Sequence, residues 1–144
     1  MKIAVGADHA GFRLKERLVW SLESPDNEVE DLGTFSEDEV DYPEIAVEVA
    51  EAVKGGEAER GVLICGTGIG MAIAANKIAG IRAATCNDLY TARMARAHNN
   101  ANILAIGSRV VGPQLAEEIA RTFMATVWEE GRHKPRIQKI HDLE

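Results

Sequence analysis

The 144-residue chain is poor in cysteine, aromatic residues and positive charge, and each scarcity closes off a class of protein. Its two cysteines, Cys65 and Cys86, make neither a disulfide framework nor a CxxC metal motif. Its four histidines are scattered without zinc-ligand spacing, so no metal is expected. Lys and Arg total 16 against 23 Asp and Glu, a net charge of −7. The basic surplus of a general nucleic-acid or anionic-membrane binder is missing. No run approaches the ~18 apolar residues of a membrane span. Met1-Lys2-Ile3-Ala4-Val5 passes straight into Gly6 and Asp8 without a signal-peptide core. Neither common nucleotide fingerprint is in place. The first apolar run leads into Gly6-Ala7-Asp8-His9-Ala10-Gly11, which is not GxGxxG, and no P-loop motif occurs. Asp31 mimics the ribose-binding acid of a dinucleotide site, but the chain's glycine loop follows a different strand. The expectation is a reduced, cytoplasmic, single domain over residues 1–144, since domains run to ~100–200 residues.

What is present is enough apolar material for a core, at 46% hydrophobic and 27% charged residues. Short apolar runs alternate with helical segments. Ile3-Ala4-Val5 reads as a strand, and Leu14, Leu18 and Leu22 predict a helix over ~9–24. Pro25-Asp26-Asn27 is a turn before a short strand at Val29–Leu32. Pro43 opens a helix with its apolar stripe at Ile45, Ala46, Val49, Ala50 and Val53. Gly61–Cys65 reads as a strand buried on both faces. The helix Met71–Ala79 follows and stops at Gly80, and Ile81–Cys86 forms the next strand. Asn87 is expected to cap the helix after it, with Asp88 in the first turn. Asn102–Ile106 is a fifth strand, and Gly112-Pro113 opens the last long helix. Residues ~129–144 are a charged tail with a short helix from about Pro135. This alternation predicts an α/β three-layer sandwich: a five-stranded parallel sheet, helices on both faces and a C-terminal helical tail.

Ligands of such sheets bind beyond the carboxyl ends of the strands. That rule selects Asp8 and His9, Cys65 to Gly70, Cys86 to Asp88, and Gly107-Ser108-Arg109. In Gly66-Thr67-Gly68-Ile69-Gly70, alternate glycines let successive N–H groups point into one hollow suited to an oxyanion or phosphate. The same run also serves a tight strand-to-helix turn. Cys65 enters this loop near a helix start, where a thiol becomes more acidic and can act as base or nucleophile; a small buried hydrophobe is the competing reading. Cys86 lacks a glycine hollow and reads as the buried hydrophobe. Asp8 and His9 suit chemistry or a helix cap, and His98 suits acid–base catalysis or a helix C-terminus completed by Asn99 or Asn100. Arg132, His133, Lys134, Arg136 and Lys139 gather in the tail of an acidic chain. Arg132 and Arg136 are four apart and converge on one anion if the turn is helical, with Arg109 as a companion; a solvated basic tail is the alternative.

The ordered runs Gly6-Ala7-Asp8-His9-Ala10-Gly11-Phe12, Val40-Asp41-Tyr42-Pro43, Ile64–Met71, Ala74–Lys77, Gly80–Ala83, His98–Asn102, Gly107-Ser108-Arg109 and Gly131-Arg132-His133 span nearly the whole chain. Together they resemble the family of type B ribose-5-phosphate isomerases and galactose-6-phosphate isomerase subunits. The resemblance implies a Rossmann-like sugar-phosphate isomerase domain. It implies aldose–ketose interconversion of ribose 5-phosphate and ribulose 5-phosphate through a cis-enediolate, without cofactor. By that resemblance Cys65 is the base, Thr67 is catalytic, and His98 with Asp8 opens the furanose ring. The backbone from Gly66 through Thr67, Gly68 and Ile69 to Gly70 is the anion hole. His9, Arg109, Arg132 and Arg136 clamp the phosphate, and Asn99 contacts the sugar. Where some members carry a catalytic glutamate this chain has Met71, which places it with the cysteine branch. The family also implies a homodimer or homotetramer whose sites are completed by the neighbouring subunit. A hexose-phosphate isomerase and a non-catalytic phosphate- or nucleotide-binding module remain as alternatives.

Overall fold

The computed structural model describes residues 1–144. The strands are β1 (Lys2–Ala7), β2 (Glu28–Asp31), β3 (Arg60–Cys65), β4 (Ala83–Thr85) and β5 (Ile103–Gly107). They form one sheet in the order β2-β1-β3-β5-β4, and every pairing is parallel. Sequence explains the order. The near-continuous apolar runs of β1, β3 and β5 are buried along almost their whole length and take the three central places. The short Glu-Val-Glu-Asp and Ala-Ala-Thr segments, only partly buried, take the edges.

The helices are α1 (Phe12–Leu22), α2 (Tyr42–Gly55), α3 (Ile69–Ala75), α4 (Leu89–Ala97), α5 (Pro113–Ala125) and α6 (Glu130–His141). Leu14, Leu18, Leu22, Ala92, Ile119 and Phe123 bring α1, α4 and α5 onto one face, against Val5, Val62, Leu104 and Ile106. Val49, Ala50, Met71 and Ala75 bring α2 and α3 onto the other, against Ala4, Leu63 and Ile103. The chain therefore leaves β1 toward one face and the adjacent β3 toward the opposite face. Their carboxyl ends part there and open a crevice, the switch point of the sheet.

Several boundaries differ from the sequence expectation, and around α3, β4 and α4 the cause is a polar side chain bonded across the fold. Asp88, not Asn87, caps α4, its Oδ1 accepting the Thr91 amide at 2.7 Å. Asn87 instead accepts the Gly107 amide at 3.2 Å and ties the end of β4 to β5. Helix α3 stops at Asn76, whose side-chain amide bonds both backbone groups of Ala83. Arg82 is drawn off the strand by Asn102 Oδ1, so β4 keeps only three residues. The tail helix starts at Glu130 rather than near Pro135. Gly131 leaves helical geometry at φ 25°, so Pro135 falls early in the regular turns that follow the break.

Candidate active site

The loops after β1, β3 and β5 meet at the crevice and are laced by backbone bonds. Asp8 N–H donates to Ile64 O at 3.1 Å, Ser108 N–H to Cys65 O at 2.8 Å and Arg109 N–H to Gly66 O at 3.0 Å. The Ser108 hydroxyl donates to Ala10 O at 2.7 Å. Packing this close leaves no room for side chains at two glycines. A Cβ on Gly11 would sit 2.4 Å from Ile64 O, and Gly68 combines a φ of +77° with 3.0 Å to the Ile106 backbone.

Cys65 closes β3 and is 5% exposed. Gly68 N–H donates to its Sγ at 3.1 Å, which sets a proton donor where the charge of a thiolate would lie. Around that sulfur the amides of Gly66, Thr67, Gly70 and Met71 have no acceptor within the chain, while Ile69 N–H is taken by Thr67 Oγ1 at 3.3 Å. Unpaired backbone donors in a loop beside a nucleophilic atom suit an anion hole. Met71 itself is fully buried in the core below the loop. The Arg109 side chain lies along Gly66, with Nη1 3.6 Å from where a Cβ would stand.

Asp8 and His9 frame the other side. Asp8 Oδ1 accepts from Ala10 and Gly11 N–H at 2.9 and 3.1 Å, so one carboxylate oxygen shapes the entry to α1. His9 Nδ1 accepts the Val40 amide at 3.4 Å, which leaves the other ring nitrogen as the donor. Cys86, by contrast, is pushed up to about 11 by burial, which keeps it a protonated hydrophobe.

His98, Asn99, Arg132 and Arg136 form a second group, far from the first. His98 ends α4, which runs back along the sheet to the start of β5. Ile103 pairs with Gly61 at the amino edge, and Cys65 pairs with Gly107 four residues further up, about 13 Å at ~3.3 Å per residue. Asn100, with φ 46°, supplies the left-handed turn after α4. Glu129 N–H donates to Ala97 O at 2.9 Å and brings α6 to the same edge. There the His98 and His133 rings stack with centroids 4.3 Å apart and planes 14° from parallel. Burial lowers the pKa of His133, and His98, Arg132 and Arg136 lower it further against the opposing pull of Glu129. The exposed Arg132 and Arg136 sit one turn apart on α6 and, like Arg109, take part in none of the chain's ion pairs. A cavity of ≈ 690 Å³ also opens at this edge, between Asn76, Ile81, Arg82, Asn99, Ile140 and Leu143.

Two contacts lay beyond sequence reasoning. The Tyr42 ring covers Gly70, its Cε2 2.8 Å from where a Cβ would stand. Asp31 forms an ion pair with the buried Lys15, under the Phe12 and Phe35 rings. Only the recurrence of Tyr42 inside a family-like run hinted at the first; nothing local signalled the second.

Fold and loop together define a class: a parallel α/β protein whose carboxyl sheet edge carries free loop amides suited to an anion. The Ribose/Galactose Isomerase family model matches residues 3–140. The chain is 50% identical over 143 residues to ribose-5-phosphate isomerase B of Escherichia coli (strain K12), covering 99% of this chain and 96% of that protein. It is 44% identical to D-erythrulose-4-phosphate isomerase of Pectobacterium atrosepticum, covering 97% and 93%. The structure of Clostridium thermocellum ribose-5-phosphate isomerase B superimposes with a TM-score of 0.97 at 51% identity, covering 99% and 97%. The chain belongs to the ribose/galactose isomerase family and is a sugar-phosphate isomerase.

Proposed function

We propose that the chain, as one domain, interconverts ribose 5-phosphate and ribulose 5-phosphate through a cis-enediolate, with Cys65 as the base. The observation that carries this reading is the Cys65 sulfur set beside unpaired loop amides at the switch point. With the sugar ring open, the thiolate takes the proton from C2, and the carbonyl oxygen at C1 gains the negative charge. The amides of Gly66, Thr67, Gly70 and Met71 hold that charge as it develops, and the loss of one such donor typically costs ~10²–10³ in rate. The C2 hydroxyl proton passes to the C1 oxygen, the thiol returns its proton to C1, and the charge left on the C2 oxygen closes to a carbonyl, which yields the ketose. Thr67 and Asp8 line the same crevice as the reacting carbons.

His98 is assigned to ring opening, Asn99 to a sugar hydroxyl, and His9, Arg109, Arg132 and Arg136 to the phosphate. Because the sheet separates His98, Asn99 and the tail arginines from Cys65, a neighbouring subunit supplies them in a homodimer, alone or paired into a tetramer. The phosphate contributes binding energy remote from the reacting carbons. Two free thiols fit a reducing, cytoplasmic setting.

Cys65→Ala tests the base. Turnover of ribose 5-phosphate is expected to fall at least ~10²-fold with substrate binding kept, as for loss of a positioned general base. Full activity would remove the thiol from the mechanism. Comparison of kcat/KM on four-, five- and six-carbon aldose phosphates tests the substrate. The pentose is expected to lead, and a lead by the hexose or the tetrose would reassign it.

A further inference from the structure

His133 is buried, faces His98, and has no part in the reading above. Its setting is built. The Glu129–Ala97 backbone bond pins the start of α6 beside His98. Ile137, one turn beyond His133, is buried too, so this face of α6 is pressed on the body while Arg132 and Arg136 face out. A histidine at a helix end normally swings about two side-chain torsions. Face-to-face contact with a fixed ring leaves it rotation within its own plane.

The charges beside His133 suit that role. His98, Arg132 and Arg136 disfavour a second positive charge, Glu129 alone favours one, and burial adds to the first side. His133 is therefore held toward its neutral form and adds no positive charge beside the His98 ring. The ligand atoms of His98, Glu129 and His133 lie within 4.8 Å of one another, but the two arginines oppose a cation there.

We infer that His133 is a positioning residue for the isomerisation: its ring is the platform that fixes the plane in which His98 meets the ring oxygen of a sugar held by the neighbouring subunit. This rests on the assignment of His98 to ring opening. A misoriented acid–base group costs rate and leaves phosphate-driven binding untouched, so the effect belongs in kcat.

The test compares His133→Ala, His133→Phe and His98→Gln in the full-length enzyme, with ribose 5-phosphate as substrate from pH 5.5 to 9 and circular dichroism as the check on folding. His133→Ala is expected to lower kcat at least roughly tenfold with KM within about twofold, the signature of a displaced reacting group. His133→Phe keeps a flat ring of similar volume and is expected to recover most of kcat and the parent pH profile. An unchanged kcat in His133→Ala overturns the inference. So does a His133→Phe enzyme as poor as His133→Ala, since the imidazole itself would then be required. Full activity in His98→Gln would remove the ring-opening assignment and the inference with it. An inactive His98→Gln beside an unaffected His133→Ala removes the inference alone.

Discussion

The shared site proposed above has a quantitative consequence when two crippled chains are mixed. Cys65 ends β3 at one edge of the sheet and His98 ends α4 just before β5 begins at the other, with about 13 Å of strand between those edges at ~3.3 Å per residue, beyond the reach of a thiol and an imidazole toward one sugar carbon. In the homodimer proposed above, Cys65→Ala and His98→Ala chains each give dimers in which both sites lack one group. A mixed dimer holds one site with neither group and one with both. Random pairing at equal amounts makes about half the dimers mixed, so about a quarter of all sites are whole. The two proteins, differently tagged, are unfolded together, refolded and assayed for ketose formation. Activity is expected to rise from near zero to about one quarter of the parent, following the fraction of mixed dimer recovered by the tags. Verified exchange with no gain of activity would refute the shared site and require both groups to act within one chain.

Gly68→Ala forces a left-handed backbone on a side chain 3.0 Å from Ile106, and is expected to cost about 1–3 kcal/mol in stability and most of kcat. Unchanged thermal unfolding and activity would show that the cradle does not need this turn. Lys15 is 1% exposed, whereas its partner Asp31 keeps contact with solvent. Orphaning the lysine by Asp31→Ala should therefore destabilise more than Lys15→Met, by roughly 3–5 kcal/mol at the upper end, in urea unfolding. The reverse order would place the greater desolvation on the carboxylate. His133 titrates below its ordinary range when folded, so between its folded and unfolded values the unfolded chain holds more protons. Its contribution to stability is then complete above the unfolded value of ~6.5 and is lost as pH falls through the folded value. The melting temperature should drop below about pH 6.5, and less steeply in His133→Phe. Equal slopes would assign the acid sensitivity to other groups.

Much of this was legible in one dimension. The strands and helices followed from apolar periodicity and from Gly and Pro punctuation, because burial on a sheet or helix face writes a repeat into the chain. The loop of free amides was legible because alternate glycines at a helix start leave backbone donors unpaired. Boundaries went wrong where polar side chains crossed the fold: Asn87 to Gly107, Asn76 to Ala83, Arg82 to Asn102. The Tyr42–Gly70 cover, the Lys15–Asp31 pair and the His98–His133 stack were silent for the same reason. Each joins residues at least 16 positions apart, and neither partner carries a local mark of the other.

Residue order alone thus determined a parallel α/β layering, a glycine cradle next to Cys65 and a basic tail, since each depends on neighbours within a few positions. Only the tertiary structure decided that these candidates fall into two groups. The return of α4 to the start of β5 carries His98 and the tail to the amino edge, and Cys65 stays at the other. The reason is directional: parallel strands oblige every connecting helix to travel back along the sheet, and where each residue lands is set by that path rather than by its own chemistry.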